Sequence, residues 1–260
     1  MSDDLVRTDI DGPIAKLTLD NPPVNALSQG MLKALDGTFD ELEGNDDVHA
    51  VVITGSGNDA FCAGADVNEM SQMSPEDAAS NVKLGTEVFQ KIHTFEHPVI
   101  AAVNNLCLGG GLELSLACDL RFSSDRARFG APETTLGLVP AWGGVLRLPR
   151  IVGTAKAKEL IYTGQMINAQ QAQRIGLVNK VVPDGDEVRA SMDMAKRVSV
   201  RASPLAVSKA KEAINKGMET SLEEGFGLVL EGMSEIAESH DLQEGLEAFT
   251  ENRQPEFKGE

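Results

Sequence analysis

Two glutamates, Glu113 and Glu133, each follow a stretch in which the backbone can bend tightly, and each has apolar neighbours instead of a run of solvated charge. The first closes Asn104-Asn105-Leu106-Cys107-Leu108-Gly109-Gly110-Gly111-Leu112-Glu113. The second lies within Phe129-Gly130-Ala131-Pro132-Glu133-Thr134-Thr135-Leu136-Gly137. Carboxyls in apolar surroundings lose hydration of their charged form, which lifts their pKa toward neutrality and suits them to proton transfer. Plainer roles stay open for each: Glu113 as a cap on its own helix, Glu133 as an ion-pair partner on a loop. A third segment, Phe61-Cys62-Ala63-Gly64-Ala65-Asp66, can bring backbone N–H groups to the same place.

The glycine run Gly109–Gly111 lacks the Gly-Lys-Ser/Thr of a phosphate-binding loop, and Leu114 stands where a dinucleotide fingerprint needs its third glycine. What it does predict is a tight strand-to-helix turn. A helix that begins there presents unpaired N–H groups, and the positive end of its dipole, to whatever approaches.

The elements around these segments alternate. Ile14–Leu19 reads as a strand that ends in the turn Asp20-Asn21-Pro22-Pro23, and Ser28 caps a helix with Leu32, Leu35, Phe39 and Leu42 on one face. Ala50–Thr54 and Pro98–Val103 read as buried strands, and Leu120–Ser123 as one more. Ser74-Pro75-Glu76-Asp77 starts a helix that runs toward His93, and another is expected from about Gly110 to Cys118. This alternation predicts an α/β core over residues 1–185. Residues 186–260 read as helical only, with helices opened by Ser203-Pro204, by a capping box at Thr220-Ser221-Leu222-Glu223, and by Asp241-Leu242-Gln243-Glu244.

Composition narrows the function. The 260 residues carry 40 acidic against 23 basic side chains, a net charge of −17 that opposes nucleic acid and anionic membrane as partners. No stretch approaches the ~20 apolar residues that span a bilayer. Met1-Ser2-Asp3-Asp4 lacks the pattern of a signal peptide, so a cytoplasmic protein is expected. Cys62, Cys107 and Cys118 are scattered and read as free thiols. His93 and His97, four apart, would share a helix face but have no third ligand in view, so no metal is expected.

The motifs in this order and spacing resemble the enoyl-CoA hydratase/isomerase (crotonase) superfamily. So do Asn21-Pro22-Pro23-Val24-Asn25-Ala26-Leu27, Leu160-Ile161-Tyr162-Thr163-Gly164, Ala169–Val178 and Glu244–Phe249, so the resemblance runs from about residue 5 to the C-terminus. It implies a spiral of strand–strand–helix turns with a C-terminal helical appendage that assembles trimers or hexamers. It also implies an acyl-CoA thioester substrate and no cofactor beyond the coenzyme A of that substrate. The backbone N–H groups of Ala65 and Gly110 would form the oxyanion hole, with Ala63, Asp66, Gly109, Pro140, Ala141 and Trp142 around the substrate. The residue matching Glu133 transfers a proton to the α-carbon, and the one matching Glu113 activates or orients the attacking water. Retention of both carboxylates favours a hydratase over an isomerase, which typically keeps only the second. An RNA-binding relative of the same fold has no basic stripe here to match it.

Some positions depart from the pattern. Lysines that reach the coenzyme A phosphates in some relatives are Val24, Asn68 and Asn252 here, leaving Arg253 and Lys258 as candidates. Trp142, the only tryptophan, stands where the family usually has a small residue; core packing and a wall of the acyl pocket both fit it.

The charge imbalance fits a protein of a high-salt cytoplasm as well as an acidic mesophilic enzyme. On the first reading, stability rises from near-zero to molar KCl, because the Debye length falls from ~30 Å at 0.01 M to ~3 Å at 1 M and carboxylate repulsion is relieved. A thermal midpoint that stays flat or falls across that range rejects it.

Overall fold

The computed structural model describes residues 5–260; Met1–Asp4 lie outside them, so the lack of a leader pattern there is a statement about sequence only. Val6–Asp11 (β1) and Ile14–Leu19 (β2) form an antiparallel hairpin. Helix α1 (Gln29–Glu43) then carries the chain to Ala50–Gly55 (β3), parallel to β2. Ser28 caps α1 by accepting the Met31 N–H, and Leu32, Leu35, Phe39 and Leu42 are its buried stripe.

From β3 onward the chain winds through three turns of a spiral, each placing one strand in a larger sheet, the next in a smaller sheet, and then a helical segment. The first turn is β3, Ala60–Cys62 (β4), and the helices Val67–Met70 (α2) and Pro75–Thr94 (α3). The second is Val99–Val103 (β5), Leu106–Leu108 (β6) and Gly110–Ala117 (α4). The third is Leu120–Ser124 (β7), Arg128–Gly130 (β8), a 3-10 turn at Pro132–Leu136, then Gly144–Val152 (α5) and Thr154–Thr163 (α6). Ile167–Asn168 (β9), Ala169–Arg174 (α7) and Lys180–Val182 (β10) complete the α/β part. The larger sheet has the order β1-β2-β3-β5-β7-β10 and the smaller β4-β6-β8-β9; both are parallel except at β1 and β9.

Every residue of β3 and β5 is buried because both faces of the larger sheet are covered. One face bears Val51, Ile53, Val99, Ala101 and Val103 on the main core. The other bears Ala50, Val52, Ile100 and Ala102 on Ala195 of helix α8 (Glu187–Arg201). The chain beyond residue 186 is thus helical through Glu251, but its first helix is a layer of the sheet; only α9 (Pro204–Gly217), α10 (Leu222–Glu238) and α11 (His240–Glu251) stand off it. Lys211 of α9 ties them back, bonding the Asp119 carboxylate at 2.8 Å and the His97 carbonyl at 3.0 Å.

Two expected helix starts shift by a residue or two. Ser221 caps α10 and forms the capping box with Glu224, one residue on from the expected Thr220 and Glu223. Ser239 caps α11, while Asp241 is buried and accepts the Lys258 and Gly259 amides, which fastens the C-terminal tail. His93 and His97 do not share a helix, since α3 ends at Thr94; the His97 ring packs on His49 and Phe95. No group of three potential metal ligands occurs among the described residues.

Arg121 of β7 is a buried cation bonded to carbonyls. Its Nε donates to Leu177 at 2.7 Å, and one terminal nitrogen donates to Ser115 and Cys118 at 2.9 and 2.8 Å. These last two are orphan carbonyls at the C-terminal end of α4, where a positive charge is favoured by the helix dipole. Burial lowers the Arg121 pKa, against the favourable charges around it. The helix whose other end opens toward Glu113 and Glu133 is therefore held at its base by a fixed charge.

Candidate active site

β4, β6 and β8 are adjacent parallel strands; Leu106–Leu108 runs in register with Arg128–Gly130, while the β4–β6 pairing shifts by a residue between Ala60 opposite Leu106 and Cys62 opposite Cys107. Their carboxyl ends release three segments side by side: Ala63–Asp66 after β4, Gly109–Glu113 after β6, and the 3-10 turn with Glu133 after β8. A crevice outside the carboxyl ends of parallel strands is a recurrent place for ligands.

The first two segments supply free amides. Leu27 forms an isolated parallel bridge with Ala65, donating to the Gly64 carbonyl at 2.8 Å and accepting the Asp66 N–H at 3.1 Å. That pattern turns the N–H of Ala65 away from Leu27. Gly110 is the first residue of α4, so its N–H has no partner within the helix. Gly109 precedes it at φ 53°, ψ −126°, a conformation for which glycine is suited. A Cβ on Gly64 would lie 3.6 Å from the Gly110 nitrogen, and one on Gly109 would lie 3.4 Å from Glu133 Oε1. The two amides and the second carboxyl therefore border one space.

The glutamates face that space in unlike environments. Glu113 is 4 % exposed, and its Oε1 accepts the Gly144 N–H at 2.7 Å. The Trp142 amide, short of full hydrogen-bond geometry, favours the same ionised form. Desolvation outweighs both, and with the nearby charge of Glu133 it pushes the Glu113 pKa up to about 8. Glu113 thus caps a neighbouring turn, Trp142–Gly144, and not its own helix. Glu133 is only partly buried as a residue, but both carboxyl oxygens are shielded from solvent and have no hydrogen-bond partner among the described residues. Burial raises its pKa, with its own backbone N–H opposing. It forms no ion pair among the described residues, so the loop salt-bridge alternative falls away.

A closely packed apolar slot, too narrow to admit a water molecule, adjoins Glu113, lined by Gly109, Leu112, Leu116, Pro140, Leu148 and Ile161 among others. Residues 9–260 match the family model described as enoyl-CoA hydratase/isomerase. The chain belongs to that family.

Among its relatives, the short-chain-enoyl-CoA hydratase of Clostridium acetobutylicum is 40 % identical over 247 residues, covering 95 % of this chain and 94 % of that one. The crotonyl-CoA hydratase of Syntrophomonas wolfei is 39 % identical over 245 residues, covering 94 % of each. A crystal structure of an enoyl-CoA hydratase from Bacillus anthracis superposes with a TM-score of 0.96 at 38 % identity, covering 98 % of this chain and all of that one. The spiral that the family resemblance implied is therefore the fold of this chain.

Of the residues expected around the substrate, Gly109 and Pro140 line the slot. Ala63 and Ala141 serve the local backbone: the Ala63 N–H donates to the Val24 carbonyl at 3.0 Å, and the Ala141 carbonyl accepts from Thr86. Asp66 caps α2, its carboxylate accepting the Asn68 and Glu69 amides. Trp142 is in the core and not in the slot wall. It is 5 % exposed, edge-on to Phe89 at 5.7 Å, with its indole N–H on the Asn81 carbonyl. The candidate phosphate ligand Arg253 is already engaged, gripping Glu244 with two nitrogens and Glu251 with a third.

Sequence reading missed the turn that holds Glu113. Gly143 adopts φ 108° there, and the Gly144 Cα lies so near Glu113 that a Cβ would fall 2.9 Å from its Cγ. The Gly143-Gly144 pair was the visible signal. Arg147 locks the turn, donating to the Trp142 carbonyl and to Gln90, both at 3.0 Å.

The raised pKa has a consequence for stability. A buried carboxyl whose folded pKa lies above its unfolded one favours the folded state below about 4.5, and that contribution disappears as pH rises toward about 8. Glu113→Gln should therefore gain thermal stability relative to the parent as pH increases through this window. A constant difference between their melting temperatures across it contradicts the assignment.

Proposed function

We propose that this chain is an enoyl-CoA hydratase, which adds water reversibly across the double bond of a 2-enoyl-CoA to give a 3-hydroxyacyl-CoA. The observation that carries the reading is the pairing of two desolvated carboxyls, Glu113 and Glu133, beside two backbone amides with free N–H groups. The thioester carbonyl oxygen accepts from the Ala65 and Gly110 N–H groups. As the β-carbon is attacked, electron density moves through the α-carbon onto that oxygen, and preplaced donors stabilise the enolate-like charge by roughly 2.7–4 kcal/mol each. Glu113 takes a proton from the attacking water, whose oxygen bonds to the β-carbon. Glu133 gives its proton to the α-carbon as the enolate collapses. Dehydration runs the same steps backward, with the two carboxyls exchanging roles. The chain's own groups balance the reaction, and no cofactor is needed.

Isomerisation needs only the proton shuttle at one carboxyl. Here Glu113 is present, buried and anchored by the Gly144 amide, which supports hydration. The side chains beside it are apolar, and a short acyl chain is the substrate in keeping with the short-chain and crotonyl names of the two relatives. Glu133→Gln and Glu113→Gln keep size and lose the proton-transfer group. Each should lower crotonyl-CoA hydration by about 10²–10⁴-fold with little change in thioester affinity. Near-parental turnover in either variant, followed by loss of enoyl absorbance, rejects the two-carboxyl mechanism.

The assembly we propose is a homotrimer or a pair of trimers. Leu222, Phe226, Val229, Leu230 and Met233 recur at helical spacing along α10 and are each about half exposed or more, and Leu246 and Phe249 extend the apolar surface on α11. A single chain leaves this stripe in water, which favours its burial against another copy. Sedimentation equilibrium should give a mass of three or six chains; a monomer at micromolar concentration argues against it.

A further inference from the structure

Trp142 touches both halves of the site without lining it. On one side its six-membered ring lies against Gly110: a Cβ added there would fall 2.5 Å from Cζ3 and 2.8 Å from Cε3. On the other side its five-membered ring fills the space where Gly85 of α3 has no side chain, so that a Cβ on Gly85 would enter the indole. The indole N–H fixes the plane by donating to the Asn81 carbonyl at 3.3 Å, and Phe89 meets the ring edge-on at 5.7 Å. The main chain of Trp142 belongs to the turn that holds Glu113. Gly144, two residues on, donates to Glu113, and the Trp142 carbonyl accepts from Arg147.

We infer that Trp142 is a positioning residue: wedged between two glycines, its indole sets how far the Gly110 amide projects into the site, while its main chain fixes Glu113 against the same reference. The oxyanion donor and the water-activating carboxyl then share one rigid body, although they sit at opposite ends of the first turn of α4. A wedge of this size needs glycine at both 85 and 110, and both are present. The chemistry belongs to the Gly110 amide and to Glu113; Trp142 touches no reacting atom. The inference rests on the hydratase reading only for its kinetic test.

Trp142→Ala should lower kcat for crotonyl-CoA by roughly 10–100-fold while KM changes by less than about threefold, since a displacement of an ångström in catalytic geometry costs on that order. Trp142→Phe keeps a flat ring behind Gly110 and should stay within about fivefold of the parent. Gly85→Leu alone should be impaired, because its side chain meets the indole. In the Trp142→Ala background the same leucine fills the emptied volume, and it should restore kcat by at least about fivefold, the reciprocal signature of coupled neighbours.

The proposal is overturned if folded Trp142→Ala keeps kcat within about threefold of the parent. It is equally overturned if the loss lies in KM, or if Gly85→Leu adds its own loss to the alanine variant instead of offsetting it. Should Trp142→Ala not fold, Gly85→Ala takes its place: its methyl presses on the indole, kcat should fall, and Trp142→Phe should relieve it, whereas an unchanged kcat overturns the proposal.

Fluorescence gives a readout that does not depend on turnover, because Trp142 is the only tryptophan. Butyryl-CoA, which has the thioester carbonyl but no double bond, should shift its emission, and coenzyme A without an acyl group should not. Equal responses to the two overturn the proposal. A parent enzyme that fails to hydrate crotonyl-CoA while showing the carbonyl-dependent shift sinks the hydratase reading and leaves the positioning role in place.

Discussion

The first turn of α4 sits where no side chain fits, and most of the site follows from that crowding. Gly111 lies so close to β4 that a Cβ would run into the Cys62 backbone, Gly110 is pressed against the Trp142 ring, and Gly109 faces Glu133 and Gly64. Three bare positions let the helix enter between two strands and an indole, which brings its unpaired N–H groups to the surface of the crevice. Exposed amides at a helix start are common. Here the turn is also walled by apolar groups, so that a carbonyl oxygen arriving there meets donors with little competition from solvent. Arg121 holds the far end of the same helix through its last carbonyls, so its position is fixed from both ends.

One helix also carries an acid whose environment is set by a different part of the chain. Glu113 extends toward the Trp142–Gly144 turn, and its charged form is favoured by amides there and opposed by burial; burial wins in the unliganded chain. The protein as a whole carries a net charge of −17, yet the charges that shape the site are few and local. Surface carboxylates at distances beyond a Debye length contribute little to a buried titration. Excess acid on the outside and raised carboxyl pKa values on the inside therefore have separate causes, repulsion in the one case and desolvation in the other.

Much of this was legible in the sequence because its signals are local. Ser28, Ser74 and Ser203 cap the helices expected of them, and the two all-buried strands β3 and β5 were visible as short apolar runs. Where two neighbouring residues compete for one role, spacing alone does not choose: Thr220 and Ser221 both precede an acid at the right distance, and Ser221 wins. Asp241 looked like a helix start because Asp241-Leu242-Gln243-Glu244 has the spacing of a capping box, but its carboxylate is used by the tail amides of Lys258 and Gly259, a contact that no local pattern announces. Trp142 shows the same limit more sharply. Its place depends on Gly85, 57 positions earlier, and Gly110, 32 positions earlier, and an absent side chain leaves no periodic trace. Likewise α8 reads as one more helix in a helical region, although its small apolar face completes a sheet laid down far upstream.

On the proposed hydratase reading, the contrast between the two carboxyls accounts for one residue type serving as both base and acid. Burial by itself ranks Glu113 as the harder to ionise, since it is the more enclosed. Hydrogen bonding ranks them the other way: Glu113 has an amide donor that stabilises a carboxylate, and Glu133 has none apart from the weak influence of its own backbone. Desolvation is a cost that a bound substrate water reduces for each carboxyl it touches, because its O–H groups donate to the charged form. The fixed Gly144 amide remains in addition. With such a water shared between them, the donor difference decides which group holds the charge, and it favours ionised Glu113 with protonated Glu133. A second negative charge on Glu133 is further discouraged by the first, as for any two carboxyls that share a buried site. In the proposed mechanism one proton on the pair is then the reactive state, with the acid at Glu133 for the α-carbon and the base at Glu113 for the water that the β-carbon receives.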